Sequence, residues 1–203
     1  MCGETPVTEE LWRAVMEYDN INPSIKKRLW SSVFSEIPRD RIDRKPKNWV
    51  NWDDCKVFIE KLNKITNRQF RLLTEAEWEF AARGGVSTKG FEYSGSNDIN
   101  DVAWYKVNSN NSRHMVKGKK PNELGIYDML GNVWEWCNDW YSSCRCQENP
   151  SYNPQGPNNG KSKILRGGAY DSVYSECEVH GFSNHRRNVR EENIGFRIAL
   201  SVK

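Results

Sequence analysis

The chain is short of the residues that usually fill a core. Only 37% of its 203 residues are hydrophobic, and 28% are charged. That balance disfavours a Leu-, Ile- and Val-packed helix bundle. No apolar run approaches the length of a membrane-spanning helix, so membrane insertion is not expected. The net charge of +3 is too small to point to nucleic acid. Basic clusters at Lys26, Lys27, Arg28 and at Arg39, Arg41, Arg44, Lys45, Lys47 are interrupted by acids and prolines, and read as solvated loop. Histidine is scarce: His114, His180 and His185 all lie away from Cys144-Arg145-Cys146, itself too tight for a zinc knuckle. The six cysteines follow no disulfide-framework spacing, which leaves the redox compartment open. Met1 opens no signal peptide, so the localisation is unassigned.

What the chain does have is aromatic mass. Residues Phe, Trp and Tyr make up 12%, with nine tryptophans. A core built from them needs a hydrogen-bond partner for each buried indole or phenol, which favours a loop-rich fold joined by polar networks. There is no internal repeat. A first helix is expected from Thr8, an N-cap followed by Glu9 and Glu10, with Leu11/Val15 and Trp12/Met16 as i, i+4 pairs. Residues 20–46 are expected to be irregular. A second helix should start near Asn51 or Asp53 and run to about Thr66, with a core stripe among Trp52, Cys55, Val57, Phe58, Ile59 and Leu62. Thr74-Glu75-Ala76-Glu77 is a capping box opening a third helix, which faces Trp78, Ala81 and Ala82 inward and ends at Gly84-Gly85. Residues 86–160, rich in Gly, Asn, Ser and Pro, read as short strands and long ordered loops punctuated by Phe91, Tyr93, Trp104 and Tyr105. Ile164–Gly168 and Gly195–Leu200 read as two buried strands. Early helices and late short strands predict a single α+β domain over 1–203.

Several blocks occur in a fixed order: Phe70–Gly85, Val102-Ala103-Trp104-Tyr105, Pro121–Met129, Gly131-Asn132-Val133-Trp134-Glu135-Trp136-Cys137, Leu165-Arg166-Gly167-Gly168 and Gly195-Phe196-Arg197. Together they resemble the formylglycine-generating enzyme (sulfatase-modifying factor) family over nearly the whole chain. The resemblance implies that family's variant of the C-type lectin fold, with few helices, short strands and long loops. It also implies that the family's opening strand is mostly missing, because Met1-Cys2-Gly3-Glu4-Thr5 enters mid-motif. Arg83, Arg166 and Arg197 are expected to stack on tryptophans and bridge loop carbonyls, as a planar five-donor fork can. Most tryptophans are expected to be scaffold.

The family's binding chemistry is only partly carried over. Asp128, Glu135 and the carbonyls of Gly131 and Val133 match positions that bind calcium in such proteins, and hard oxygen ligands from one tight loop suit that ion. The other reading of the same residues is that Asp128 caps a turn and Glu135 pairs with an arginine. The family's second calcium site is degraded, with Val102 where an amide would stand. The family's enzyme oxidises a substrate cysteine with two copper-binding cysteines five positions apart. Cys177 matches the first, but Phe182 occupies the second position and no cysteine follows it. The resemblance therefore implies no copper and no formylglycine-generating catalysis.

Between the Arg-Gly-Gly and Gly-Phe-Arg blocks, residues 169–190 depart from the family pattern. From Ile164 to Val202 there is no Lys, Gln, Met or Trp. Diversity-generating retroelements mutate adenines in codons such as those for Asn, which never yields Lys, Gln, Glu, Met or Trp. Apart from Glu176 and Glu178, which would then be fixed positions, 169–190 obeys that rule. Proteins diversified this way resemble this chain in fold and in the place of the variable segment. The expectation is a non-catalytic binder that displays Tyr170, Asp171, Ser172, Tyr174, His180, Phe182, Asn184, His185 and Arg187 to an unknown protein or surface ligand. Such a binder would sit at a cell surface or on a phage particle. The alternative is an ordinary non-catalytic accessory or binding member of the family with a drifted loop, and behind it a formylglycine-generating-type oxidase.

Overall fold

The computed structural model describes residues 1–18, 44–143 and 154–201. The basic cluster at 26–28, part of that at 39–47, most of the irregular stretch expected at 20–46, and the Cys144/Cys146 pair lie outside the described residues.

Local signals place the helices. Helix α1 (Glu9–Met16) begins where Thr8 accepts the Leu11 amide. Helix α2 (Trp52–Thr66) has a full capping box, Asn51 with Asp54, and Asn67 closes it in the left-handed conformation. Strand β1 (Phe70–Leu72) precedes helix α3 (Glu75–Ala82), where the Thr74–Glu77 capping box forms as the spacing predicts. A single turn, α4 (Ile99–Val102), then leads into β2 (Ala103–Trp104), β3 (Leu130–Gly131) and β4 (Trp134–Trp140). The last elements are β5 (Lys163–Arg166), a 3-10 turn (Tyr174–Cys177), β6 (Phe182–His185), β7 (Ile194–Phe196) and β8 (Ile198–Leu200).

A four-stranded sheet in the order β6-β5-β4-β7 organises the domain, with β4 and β7 parallel. Its alternating side chains separate two cores. Trp134, Trp136, Leu165 and Phe196 pack with Phe58, Ile59 and Leu62 of α2, while Cys137 and Ile164 pack with Trp78, Ala81 and Ala82 of α3. Val57 of the expected α2 stripe faces solvent, because it lies on the opposite side of the helix from Phe58 and Leu62. Three indoles find the polar partners their burial demands: Trp136 Nε1 donates to Val50 O at 3.0 Å, Trp52 Nε1 to Cys137 O at 3.0 Å and Trp78 Nε1 to Glu135 Oε2 at 2.7 Å, whereas the buried Trp104 Nε1 has no hydrogen-bond partner among the described residues.

Two expectations are corrected. Gly195–Leu200 is not one strand: β7 pairs with β4, whereas β8 pairs with β1 in a separate two-stranded sheet. Arg197 stands at the break, its side chain drawn into the interior by Glu135. The opening residues do have a strand-like role. Gly3 N donates to Ile198 O at 2.9 Å, Leu200 N to Met1 O at 2.8 Å, and Cys2 bridges Ala199. Among the described residues, no helix is long and apolar enough to cross a membrane.

Candidate functional site

The segment after β5 leaves the sheet through Gly167 and Gly168, both left-handed, with φ of +97° and +74°. A Cβ on Gly168 would lie 2.5 Å from Cys177 Sγ, so the thiol packs directly against this turn. Cys177 is fully buried, and burial pushes its thiol up to about 12. The thiol is thus neutral and enclosed where it packs against the turn.

Residues 169–193 are pinned at three places. At the start, Tyr170 N donates to Asn132 O, Ser109 Oγ to Tyr170 O, and Ala169 N to Ser172 Oγ at 3.1 Å. In the middle, the buried Arg166 guanidinium donates to Gly181 O and pairs with Glu79, while its carbon lies 5.1 Å from the Trp78 ring centroid. At the end, the chain is clipped to the start of α2. Trp52 N donates to Arg187 O at 2.9 Å, Trp49 N to Glu191 O at 3.1 Å and Asn48 Nδ2 to Glu192 O at 2.5 Å. Arg190 forks onto Asp54 at 2.7 and 2.8 Å. Burial would raise the Asp54 carboxyl, but the Arg190 fork and the Asn51 amide outweigh it and hold it below its ordinary range.

Between these pins the nine expected residues separate into two kinds. Asp171, Tyr174, His180, Phe182 and Arg187 are exposed, and Asn184 and His185 are half-buried. Phe182 stacks on Tyr141 with ring centroids 6.1 Å apart, His180 Nε2 lies 2.9 Å from Glu178, and Arg187 Nε lies 3.4 Å from Asp53. Asn184 accepts from Ser162 Oγ, and His185 lies 3.8 Å from Glu191. Tyr170 and Ser172, by contrast, are buried and serve the turn. Their small remaining exposure makes them supports of a surface and not part of it. Trp49 was not among the expected residues, yet it is 53% exposed beside the clip at φ +54°.

Of the four candidate calcium positions, the two carboxylates already have hydrogen-bond partners. Both Glu135 oxygens are taken: Arg197 Nε and Nη2 donate to Oε1 at 3.1 and 2.8 Å, and Arg197 Nε and Trp78 Nε1 donate to Oε2 at 3.0 and 2.7 Å. Asp128 accepts the Lys117 amide at 2.8 Å and Asn132 Nδ2 at 3.3 Å. Gly131 lies so close to Trp104 that a Cβ would meet the Trp104 carbonyl oxygen, and its amide donates to Gly167 O. A guanidinium already engages both Glu135 oxygens, so this carboxylate sits in an arginine-centred network. Among the described residues, no three His, Cys, Asp or Glu side chains gather as a metal site. Arg197 also donates to the carbonyls of Gly3, Tyr127 and Asp128, as a loop-bridging arginine should. Arg83 does not follow that pattern; it is exposed and pairs with Glu79 one turn back.

The comparisons with known proteins agree with this fold. The model of the sulfatase-modifying factor enzyme 1-like domain matches residues 1–202. The chain is 34% identical over 167 residues to the formylglycine-generating enzyme of Streptomyces coelicolor, a match that covers 74% of this chain and 51% of that protein. It is 36% identical over 215 residues to the chaperone protein LppX of Paenibacillus barcinonensis, covering 98% and 70%. The chain thus spans about half the length of the first of these relatives. Among solved structures, Treponema denticola variable protein 1 superposes with a TM-score of 0.80 at 32% identity, covering 97% of this chain and 82% of that one. CarF superposes with a TM-score of 0.73 at 25% identity, covering 100% and 86%. The fold is the family's C-type lectin-like variant, and the chain belongs to the sulfatase-modifying, formylglycine-generating-enzyme-like family.

Proposed function

We propose that the chain is a non-catalytic binder that displays a diversified surface, residues 169–190, on a rigid C-type lectin scaffold. The observation that carries this reading is the pairing of a sealed Cys177 with a solvent-facing Phe182. The first position of the enzyme's cysteine pair is a buried thiol and the second is an exposed ring. Soft-metal or thiol chemistry needs sulfur at both positions. An exposed aromatic at the second suits contact with a partner instead. The similarity to Treponema denticola variable protein 1 supports the same reading.

The two glutamates that break the adenine-mutagenesis rule have structural work to do. Glu176 accepts the Val173 amide at 3.2 Å and shapes the 3-10 turn, and Glu178 faces His180. Both suit fixed positions inside a varied segment. Gly181 suits one too, since a Cβ there would meet the Glu176 carbonyl oxygen at 2.9 Å.

The test is to sequence the DNA around the gene. A neighbouring reverse transcriptase with a near-copy of codons 164–200 that differs only at adenines is the expected result. Absence of both overturns diversification. A second reading, an accessory protein that binds another protein without diversification, draws on the 36% identity to a chaperone over nearly the whole chain. For either reading, native-state alkylation at pH 8 followed by mass spectrometry should leave Cys177 unlabelled. Rapid labelling there would reopen thiol chemistry.

A further inference from the structure

Three of the sheet edges are closed by the chain itself. On the outer side of β7, Val7 N donates to Phe196 O at 2.9 Å. The opening residues cover β8, where Gly3 N donates to Ile198 O and Leu200 N to Met1 O. One side chain closes β1: Asn63 Nδ2 donates to Phe70 O at 2.9 Å, and Phe70 N donates to Asn63 Oδ1 at 2.7 Å. An open edge would present unpaired backbone groups to any strand that met it, and these three edges do not.

Strand β6 is different. It is the second edge of the four-stranded sheet, and it lies inside the varied segment. Tyr141 N donates to Ser162 O, so Ser162 turns its backbone toward β4 and Lys163 turns its own toward β6. His185 stands opposite Lys163 and Ser183 opposite Leu165, so both face β5. Asn184, between them, therefore turns its N–H and C=O outward. Among the described residues, neither group has a hydrogen-bond partner; only the Asn184 side chain is engaged, by Ser162 Oγ. The usual protections of an edge are missing too. Phe182-Ser183-Asn184-His185 contains no proline or lysine, and its four pairs with β5 run without a bulge. Just beyond the strand, Arg187 and Arg190 are held by Asp53 and Asp54, and His185 faces Glu191. The exposed Glu192 is tied into the clip through its carbonyl. Arg186, which directly follows β6, is exposed and has no ion pair with a described residue.

Building on the binding reading above, we propose that β6 takes an extended segment of a protein partner as an added strand, paired through the outward backbone of Asn184. A polypeptide strand is the ligand whose donors and acceptors match such an edge. The backbone is the same whatever side chains the segment carries, so the edge would serve every variant. The alternating side chains would choose the partner, and in this variant Arg186 favours an acidic residue on the added strand. A second copy of the chain on the same edge would bury the displayed residues against one another and hide them from a partner.

The test uses the whole chain labelled with ¹⁵N. The probes are capped Thr-Val-Glu-Val-Thr, the same peptide with Lys for Glu, and the first peptide with every amide methylated on nitrogen. In the free chain the Asn184 amide should exchange rapidly with solvent, while the Ser183 and His185 amides exchange slowly. The acidic peptide should shift the Asn184 amide saturably at millimolar concentration, and the lysine peptide should bind roughly threefold more weakly. The methylated peptide keeps the side chains but has no donors, and should not act. Asn184→Ala keeps the backbone edge and should bind within about twofold of wild type. Asn184→Pro removes the outward N–H without touching the bonds to β5, and should weaken binding roughly tenfold, read at His185. Should that variant not fold, the methylated peptide supplies the same contrast. Asn184 protection that grows with chain concentration would put a second copy on the edge, and protection independent of concentration would mean the chain covers it. Either result overturns the proposal, as does an equal response to the methylated peptide or none to the acidic one. None of these failures touches the diversification reading, which the gene locus decides separately.

Discussion

The Arg197 guanidinium and the Glu135 carboxylate meet in the interior, with Nη2 2.8 Å from Oε1 and the two side chains 0% and 1% exposed. The pair joins five parts of the chain. Glu135 comes from β4 and Arg197 from the break between β7 and β8, while the other donors and acceptors belong to Trp78 of α3, the opening residues and the Tyr127–Asp128 loop. Burial pushes the Glu135 carboxyl above its ordinary range, and the Arg197 charge works against that. A buried pair is tolerable when its remaining hydrogen-bonding capacity is filled, and here it is.

Removing one partner should therefore be costly. Arg197→Met leaves a buried carboxylate opposite a thioether, and a loss of about 3–5 kcal/mol is expected in urea unfolding. Glu135→Leu should cost a similar amount. The double variant should lose clearly less than the sum, because neither charge is then left alone. Simple additivity would mean that the two do not act as a pair.

The same geometry bears on calcium. With four hydrogen bonds from three donor atoms on the Glu135 carboxylate, a divalent ion there would have to displace the guanidinium. Chelation with EDTA should therefore leave the melting temperature unchanged. A drop of several degrees that calcium restores would show that an ion stabilises the native state, and would overturn the arginine-centred account.

The helix starts were legible because Thr8, Asn51 and Thr74 act within a few residues of themselves. Long-range partners were not. The sequence Trp134-Glu135-Trp136 alternates in polarity as a half-exposed strand would, yet both its faces are buried, so the pattern does not reveal that Glu135 points into the interior. Nor could spacing decide between an ion and an arginine at Glu135, because Arg197 is 62 residues away. Within the segment expected to be displayed, Tyr170 and Ser172 are turned inward by contacts with Asn132, Ser109 and Ala169 that nothing local reveals. Trp49 carries no local signal at all.

Asp139 supplies a pH test. Its carboxylate accepts the Glu75 amide at the start of α3 while only 4% exposed, and burial raises its pKa to about 6. The folded state then binds a proton more readily than the unfolded chain between about pH 4 and 6. Its contribution favours folding at low pH and is lost as pH rises through about 6. From an ordinary value of about 3.9, the displacement corresponds to about 3 kcal/mol across the window. Lys163, which burial lowers to about 8, stays charged throughout that range. Asp139→Asn keeps the acceptor but not the titration. Relative to wild type it should be more stable at pH 7.5 than at pH 4.5, by up to about 3 kcal/mol. A difference that does not change with pH would show that Asp139 titrates as an ordinary carboxylate.

A displayed surface should tolerate change where the scaffold beneath it does not. Asp171, Tyr174, His180, Phe182 and Arg187 reach solvent, so replacing each by serine should alter stability by no more than about 0.5 kcal/mol. Ser172→Ala deletes the acceptor of the Ala169 amide and should cost about 1 kcal/mol although the side chain is small. Gly181→Ala should cost more, because its Cβ would meet two backbone carbonyl oxygens at 2.9 and 3.1 Å. Thermal unfolding of the seven single variants would separate the groups. Uniform tolerance would mean the segment is not pinned as the hydrogen bonds indicate. Uniform damage would mean the exposed side chains hold the fold together, and the display reading would fail because a segment that cannot vary cannot be diversified.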